Sequence, residues 1–281
     1  MATMSALHTV FGKVMKYNKR ALYDQFVNFY HIISDDYEES KVSIRGKMGA
    51  LVRRARREIS PDWSVEDRIN GLLQLVYREW GFHCDPNNYF RSRNLYLPYV
   101  LEYREGMPVS LGAIILYLAE ALDLPIYPVN FPTQLILRAE LDDRIEFIDP
   151  WNGSYISQEK LQQFYEGAFG FGAQIQAEEL ERADLQLLFS RFEQLAKNAL
   201  IREEHNDMAF RYIESLVHRS DDPYNIRDRG LVLAQMGAYP MALKDLEYFV
   251  DKCPQDPTST LIRTQLSELK NELEQAPHAI H

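Results

Sequence analysis

The sequence has few cysteines and fewer basic than acidic residues, and both shortages exclude classes of function. Its two cysteines, Cys84 and Cys253, lie far apart and show no CxxC or Cys/His ligand spacing, which argues against a disulfide scaffold or a zinc site. Because 31 Lys and Arg stand against 41 Asp and Glu, the net charge of -10 repels the phosphates of a nucleic acid. We therefore predict a protein of a reducing compartment, with no metal, no cofactor and no nucleic acid partner.

Long apolar segments are also absent. The longest apolar run, LGAIILYLAEAL, has 12 residues and contains Glu120, whereas a helix that spans a bilayer needs about 20 residues. The N-terminal MATMSALHTVFGKVMKYNKR lacks the compact apolar segment and the small-residue cleavage site of a signal peptide. These features predict a cytoplasmic protein without a membrane segment.

Apolar residues at helical spacing dominate the first part of the chain. ALYDQFVNFYHII and SIRGKMGALVRRARREI predict two helices before Pro61, and Ser64 followed by Asp67 marks the start of a third. Between Pro108 and Pro125, GMPVSLGAIILYLAEALDLP predicts the most buried helix of the protein. The 281 residues, 46% of them apolar, suffice for one large domain or two smaller ones.

After this helix the apolar period changes from 3.6 to about 2. IYPVNF, QLILRAEL and RIEFID have the alternation of strands, and Asp142 and Asp143 mark a tight turn between the last two. A two-residue turn there pairs Ile136 with Asp149 and brings Gln134 beside Asp149 on one face of the hairpin. The sequence therefore predicts that an amide and a carboxylate lie close together.

From about residue 184 the strand pattern stops, and five apolar-periodic segments predict helices only. DDP at 221–223 and QDP at 255–257 lie 34 residues apart, a period typical of tetratricopeptide repeats. The small, aromatic and helix-breaking residues of that pattern recur at Gly230, Gly237, Tyr239, Ala242 and Pro254. We predict one well-formed repeat, a degenerate repeat before it and a terminal capping helix.

Residues 84–153 resemble the core of the transglutaminase-like superfamily of cysteine proteases and acyltransferases, through NLYLPYVLEYREGMPVSLGAIILYLAEALDLP, PTQLILR and FIDPWNG. Together with the repeats, the chain resembles the SirB family of bacterial proteins. We therefore predict an α+β fold, with N-terminal helices at 1–60, a transglutaminase-like (papain-like) core with a small antiparallel sheet at 61–183, and an all-α tetratricopeptide-like domain at 184–281. The resemblance implies a regulatory or adaptor role in the bacterial cytoplasm.

The catalytic triad implied by this resemblance is degenerate. In the superfamily a cysteine begins the central helix, a histidine lies on the next strand and an aspartate on the strand after it. Here Pro108 stands in the cysteine position and Gln134 in the histidine position, and only Asp149 matches. Proline offers no nucleophile, and glutamine cannot accept a proton. None of the seven histidines lies between Cys84 and His205, so a hydrolase that uses Ser110 would need His31, His83 or a residue of the repeat domain as its base.

Two interpretations of these positions remain open. In the first, Gln134 donates a hydrogen bond to a buried Asp149, and the pair is an internal clamp in a frame that no longer transfers protons. In the second, the chain is an acyl-transfer enzyme of amidase, protease or transglutaminase type that uses Ser110, whose Oγ then lies within about 3 Å of a proton acceptor in an open cleft. Cys84 is interpreted as structural, because neighbouring side chains of an extended segment, such as those of His83 and Cys84, point to opposite sides.

A binding face is predicted on the repeats. Arg227 and Arg229 fall in the first turn of a helix, where the helix dipole disfavours cations, so either an acid of this chain or an acidic peptide must compensate them. In the tetratricopeptide register the concave face holds Tyr224, Arg227, Leu231, Ala234 and Gln235. That face either binds a peptide or packs against the N-terminal part of the chain. We predict a non-catalytic adaptor that binds a protein or peptide there, with the degenerate cleft as a second region left open.

Overall fold

The computed structural model describes residues 17–275, which form eleven α-helices and six short strands. The helices are α1 Ala21–Ile33, α2 Tyr37–Glu58, α3 Val65–Gln74, α4 Leu97–Tyr103, α5 Pro108–Ala121, α6 Gln158–Phe169, α7 Leu185–Arg202, α8 Asn206–Val217, α9 Pro223–Gln235, α10 Tyr239–Lys252 and α11 Pro257–Gln275. The strands are β1 His83–Cys84, β2 Glu105–Gly106, β3 Ile126–Val129, β4 Ile136–Glu140, β5 Ile145–Ile148 and β6 Tyr155–Ile156. Many helices with two small sheets make the α+β fold that the sequence predicts.

The helices that flank the core begin and end where the sequence signals them. Ser64 Oγ accepts a hydrogen bond from the backbone N–H of Asp67 at 3.0 Å and so caps α3. The helical path continues through a wider turn, Leu75–Glu79, and ends before Gly81, whose φ of 72° is costly for any other residue. Neither the wide turn nor α4 was predicted from the apolar spacing, because both are too short to show a period.

The central helix α5 is buried on nearly every side. Ten of its fourteen residues are buried, and Pro108 occupies its first position, where the missing N–H costs nothing. Gly112 allows the hairpin to approach closely, since a Cβ there would lie 2.6 Å from Leu135 Cδ2. No other described α-helix has as large a buried share, which agrees with the prediction that this helix is the most buried one.

The main sheet is antiparallel, in the order β3, β4, β5, β6. Leu137 pairs with Ile148 and Glu140 with Ile145, and the N–H of Leu141 donates to the carbonyl of Arg144 at 2.9 Å. The two-residue turn and its register are therefore as predicted. A second sheet of two residues per strand pairs β1 with β2 in parallel and places Cys84 opposite Gly106, just before α5.

The five C-terminal helices, α7 to α11, stack as consecutive antiparallel neighbours. The two DP motifs that define the repeat period start two of these helices in the same way. Asp222 Oδ1 accepts the N–H of Tyr224 at 3.0 Å before α9, and Asp256 Oδ1 accepts the N–H of Thr258 at 2.8 Å before α11. A short acceptor followed by proline therefore begins each helix.

One hydrophobic cluster joins the N-terminal helices, α5 and the first helices of the array. It includes buried residues of α1 to α5 and of α7 to α9. Ring centroids lie 4.6 Å apart for Phe26 of α1 and Phe192 of α7, and 4.8 Å apart for Phe29 and Tyr212 of α8. The repeats thus share their core with the rest of the chain, and the division at residues 60 and 183 remains a prediction. Within residues 17–275, no helix combines the length and apolar character needed to cross a bilayer.

Candidate functional site

The first turn of α5 carries the two residues considered for the nucleophile. Pro108 is buried and has no group that could attack a carbonyl. Ser110 is fully buried, and its Oγ accepts the N–H of Met107 at 3.0 Å while donating to the carbonyl of Met107 at 3.1 Å. The hydroxyl therefore satisfies the backbone at the start of the helix. The expectation of an Oγ beside a proton acceptor in an open cleft is wrong for this residue.

Gln134 lies in a bend two residues before β4 and not on the strand. Its Nε2 is buried and has no hydrogen-bond partner among the residues that the structure describes. The predicted hydrogen bond from Gln134 to Asp149 is therefore wrong, although the register of the hairpin is right. The ladder between β4 and β5 ends at Leu137 and Ile148, so pairing does not extend to the positions where the two side chains would meet.

Asp149 organises the turn that follows β5. Its Oδ1 accepts the N–H of Trp151 at 2.9 Å, and its carbonyl accepts the N–H of Gly153 at 2.8 Å. Burial raises the pKa of Asp149 above its usual value, and the Trp151 N–H partly opposes this shift. The one triad residue that matches the superfamily thus binds backbone in a closed turn.

The thiol of Cys84 and the phenols of Tyr77 and Tyr89 lie near Asp149. Burial, together with the charge of Asp149, raises the pKa of Cys84 to about 12. Tyr77 donates a hydrogen bond to the carbonyl of Pro150, and burial raises its pKa as well. His83 is exposed on the other side of β1, with Nδ1 3.0 Å from the carbonyl of Gly81. A protonated, buried thiol without a histidine is structural, as predicted for Cys84.

A cavity of about 230 Å³ lies beside the first turn of α5, between the loop before β4 and α7. Its walls are mostly apolar and are formed by Tyr89, Phe90, Met107, Pro108, Val109, Asn130, Thr133, Gln134, Leu135, Leu188, Arg191, Phe192 and Leu195. The structure therefore brings Pro108 and Gln134 to one cavity, whereas Asp149 lies outside its walls. α7 supplies one side of this cavity. No pattern in the sequence indicates this role of α7.

A second concavity, of about 520 Å³, lies on the helical array. α7, α9, α10 and α11 line it with Ile201, Leu231, Ala234, Gln235, Tyr239, Leu246, Gln265, Glu268 and Leu269. We call it the repeat groove. Three of the five predicted binding residues, Leu231, Ala234 and Gln235, are in its walls.

The other two predicted binding residues are engaged elsewhere. The hydroxyl of Tyr224 donates to Asp256 Oδ2 at 3.0 Å, and Arg227 Nη2 donates to Asp228 Oδ1 at 2.7 Å. The guanidinium of Arg227 also lies 5.2 Å from the ring centroid of Phe249. Both side chains thus hold α9 against the start of α11, and neither lines the repeat groove.

The arginines of α9 are neutralised within the chain, so the basis for an acidic peptide is wrong. Arg229 binds both oxygens of buried Asp245 at 2.6 and 2.8 Å and Glu214 Oε2 at 2.6 Å. Lys197, which is 2% exposed, reaches Asp228 Oδ2 at 2.6 Å. In the sequence, this network is indicated by Asp228, which stands between Arg227 and Arg229. It is also indicated by Lys197, which lies next to an apolar stripe of α7.

No group of three or more His, Cys, Asp or Glu side chains that could hold a metal ion occurs within the described part of the chain. The polar side chains that line the two concavities are amides, hydroxyls, one guanidinium and one carboxylate.

Comparison with known proteins agrees with the fold. A model of the transglutaminase-like superfamily matches residues 43–194, and a tetratricopeptide repeat model matches residues 196–267. The junction between the two matches falls inside α7. No solved structure matches the chain.

Relatives that cover most of the chain occur in several bacteria. A UPF0162 protein of Haemophilus influenzae is 70% identical over 95% of this chain and 100% of its own length. The UPF0162 protein YchA of Escherichia coli is 38% identical over 90% of this chain and 94% of its own length. Protein SirB1 of Salmonella typhimurium is 41% identical over 78% of this chain and 82% of its own length.

Proposed function

Because this chain belongs to the SirB family, in which a transglutaminase-like domain precedes tetratricopeptide repeats, we propose that it is a non-catalytic cytoplasmic regulator or adaptor that binds a protein partner through the repeat groove. The observation that carries this proposal is the groove itself, which the described residues 17–275 leave open among α7, α9, α10 and α11. A short array could have packed this face against the N-terminal part of the chain.

The walls of the groove favour an extended peptide segment with apolar side chains. Leu231, Leu246 and Leu269 offer apolar surface, and Gln235 and Gln265 offer amides that can bond to a peptide backbone. Among the described residues that line the groove, Glu268 is the only charged one. An uncharged or weakly basic segment therefore fits these walls better than an acidic one.

The positions of the degenerate triad support a non-catalytic role. Acyl transfer needs a nucleophile and a base that accepts its proton. Pro108 cannot supply the first, Ser110 is committed to its own backbone, and Gln134 cannot supply the second. Under this proposal the protein is a pseudoenzyme.

Capture of partners from a bacterial lysate tests the groove. We expect the wild type to retain a partner and Ala234→Glu, which places a carboxylate in the groove beside Glu268, to lose it. Met241→Glu is the matched control, because Met241 is 56% exposed on α10 and does not line the groove. Equal capture by Ala234→Glu and the wild type, or no partner at all, contradicts the proposal.

Assays for hydrolysis and transamidation of glutamine-containing peptides test the second half of the proposal. We expect no turnover by the wild type. Turnover that disappears in Asp149→Asn would show that the chain is an enzyme and that the non-catalytic assignment is wrong.

A further inference from the structure

The cavity beside α5 has an electrostatic imbalance. Among the described residues in its walls, Arg191 is the only charged one. The guanidinium donates to three neutral acceptors, namely Asn130 Oδ1, the carbonyl of Phe131 at 2.6 Å and the carbonyl of Pro132 at 3.1 Å. Within residues 17–275 no carboxylate forms an ion pair with it, and burial lowers the pKa of Arg191. A partly buried cation without a counter-ion retains an attraction for an anion.

A second donor in the same wall has no acceptor. Gln134 Nε2 is buried and makes no hydrogen bond to any residue of the described range 17–275, and leaving such a donor unsatisfied costs about 1–3 kcal/mol. The loop that carries Gln134 is held by Arg191 through the carbonyls of Phe131 and Pro132, so the two donors are fixed relative to each other. The first turn of α5 adds the positive end of its helix dipole to the wall.

The rest of the wall decides what kind of anion fits. Leu135, Leu188, Phe192 and Leu195 make most of the surface apolar, which disfavours a small, strongly hydrated ion such as phosphate. Since an apolar cavity of about 150 Å³ can hold benzene, about 230 Å³ has room for a group of that size and a carboxylate. Phe90, which is 61% exposed, lies where the cavity meets solvent.

We propose that this cavity binds a carboxylate, with its oxygens held by Arg191 and Gln134 and its apolar body packed against the leucines and Phe192. A free aromatic or aliphatic acid and the C-terminal residue of a peptide share this chemistry. The site is separate from the repeat groove, so its occupancy does not depend on the protein partner proposed above.

Binding of matched acids and amides to the full-length protein tests this site. The probes are 3-phenylpropionate and 3-phenylpropanamide, with N-acetyl-glycyl-phenylalanine and its C-terminal amide as the peptide arm, measured by calorimetry and ligand-observed NMR. We expect at least one acid to bind about tenfold or more tightly than its amide, since the amide loses the charge-assisted hydrogen bonds. Binding of the peptide acid points to a peptide terminus, and binding of phenylpropionate alone points to a free acid. Equal binding of acid and amide, or no binding of either acid at millimolar concentration, overturns the proposal.

Gln134→Glu tests the position of the site. It keeps the shape of the side chain and places an anion in the cavity that Arg191 also lines, so we expect carboxylate affinity to fall about tenfold or more while the fold is retained. Gln174→Glu makes the same change at an exposed position outside the cavity and should bind like the wild type. A Gln134→Glu protein that binds the acid as tightly as the wild type overturns the proposal. If this variant does not fold, the comparison of acid and amide binding to the wild type still tests the proposed carboxylate site.

Discussion

Lys197 of α7 and Asp228 of α9 form a buried ion pair, with 2.6 Å between Nζ and Oδ2. Asp228 also accepts hydrogen bonds from Arg227, so one carboxylate binds two cations at the junction of two helices. The pair connects the helix that closes the cavity with the helix that forms the middle of the repeat groove.

Asp228→Ala should lower the free energy of unfolding by about 3–5 kcal/mol, because it leaves Lys197 buried without a counter-ion. Urea unfolding measures this loss. Arg219→Ala, which breaks the exposed pair of Arg219 with Glu193, is the control and should cost at most about 1 kcal/mol. Similar losses in the two variants would mean that the buried pair has no special role.

Gly153→Ala should destabilise the protein by about 2–4 kcal/mol, the sum of an unfavourable left-handed backbone and an overlap with a packed ring. The φ of Gly153 is 74°, and a Cβ there would overlap the ring of Tyr77. Gly81→Ala is closely matched, since its φ is 72° and nothing lies within 4 Å of its Cβ position. It should show only the backbone cost of about 1–2 kcal/mol in the same thermal or urea unfolding. Equal losses would show that Tyr77 can move aside.

The two cysteines should differ in reactivity towards a thiol reagent. Cys84 is buried and its pKa is raised to about 12 by burial and by the charge of Asp149, so little thiolate exists near pH 8. Cys253 is only partly buried, and we expect it to react about tenfold or more faster in the folded protein. Time courses with Ellman's reagent measure both rates, and both thiols should react at similar rates in urea. Fast modification of Cys84 in the folded state would contradict its structural role.

Asp149→Asn should change the pH dependence of stability. Burial raises the pKa of Asp149 in the folded state, so folding favours the protonated carboxyl. The protonated carboxyl contributes its full stability below the unfolded pKa of about 3.9, and this contribution is lost as pH rises through the folded pKa. Asparagine can still accept the N–H of Trp151 and has no charge to bury. The stability of the variant relative to the wild type should therefore increase from about pH 4 to about pH 7 in urea unfolding. A decrease over that range would mean that the carboxylate charge is stabilised in the fold.

The sequence was informative where a pattern has a period and uninformative where contacts join distant segments. The buried helix α5, the hairpin register through Leu141 and Arg144, and the caps at Asp222 and Asp256 follow from local spacing and turn chemistry. The cavity could not be predicted, because Arg191 reaches the loop at 130–132 across about 60 residues of chain. The missing bond between Gln134 and Asp149 was misjudged for the same reason, since α7 and its arginine set the path of that loop.

The position of α7 also bears on how this protein can be divided or recombined. One face of α7 completes the core through Phe192, and its far end reaches the repeat groove through Ile201. A gene fragment cut between the two family matches would split this helix and leave apolar surface open on both products. We therefore expect the transglutaminase-like and repeat segments to fold as one unit, and neither to be exchangeable unless α7 is carried with it.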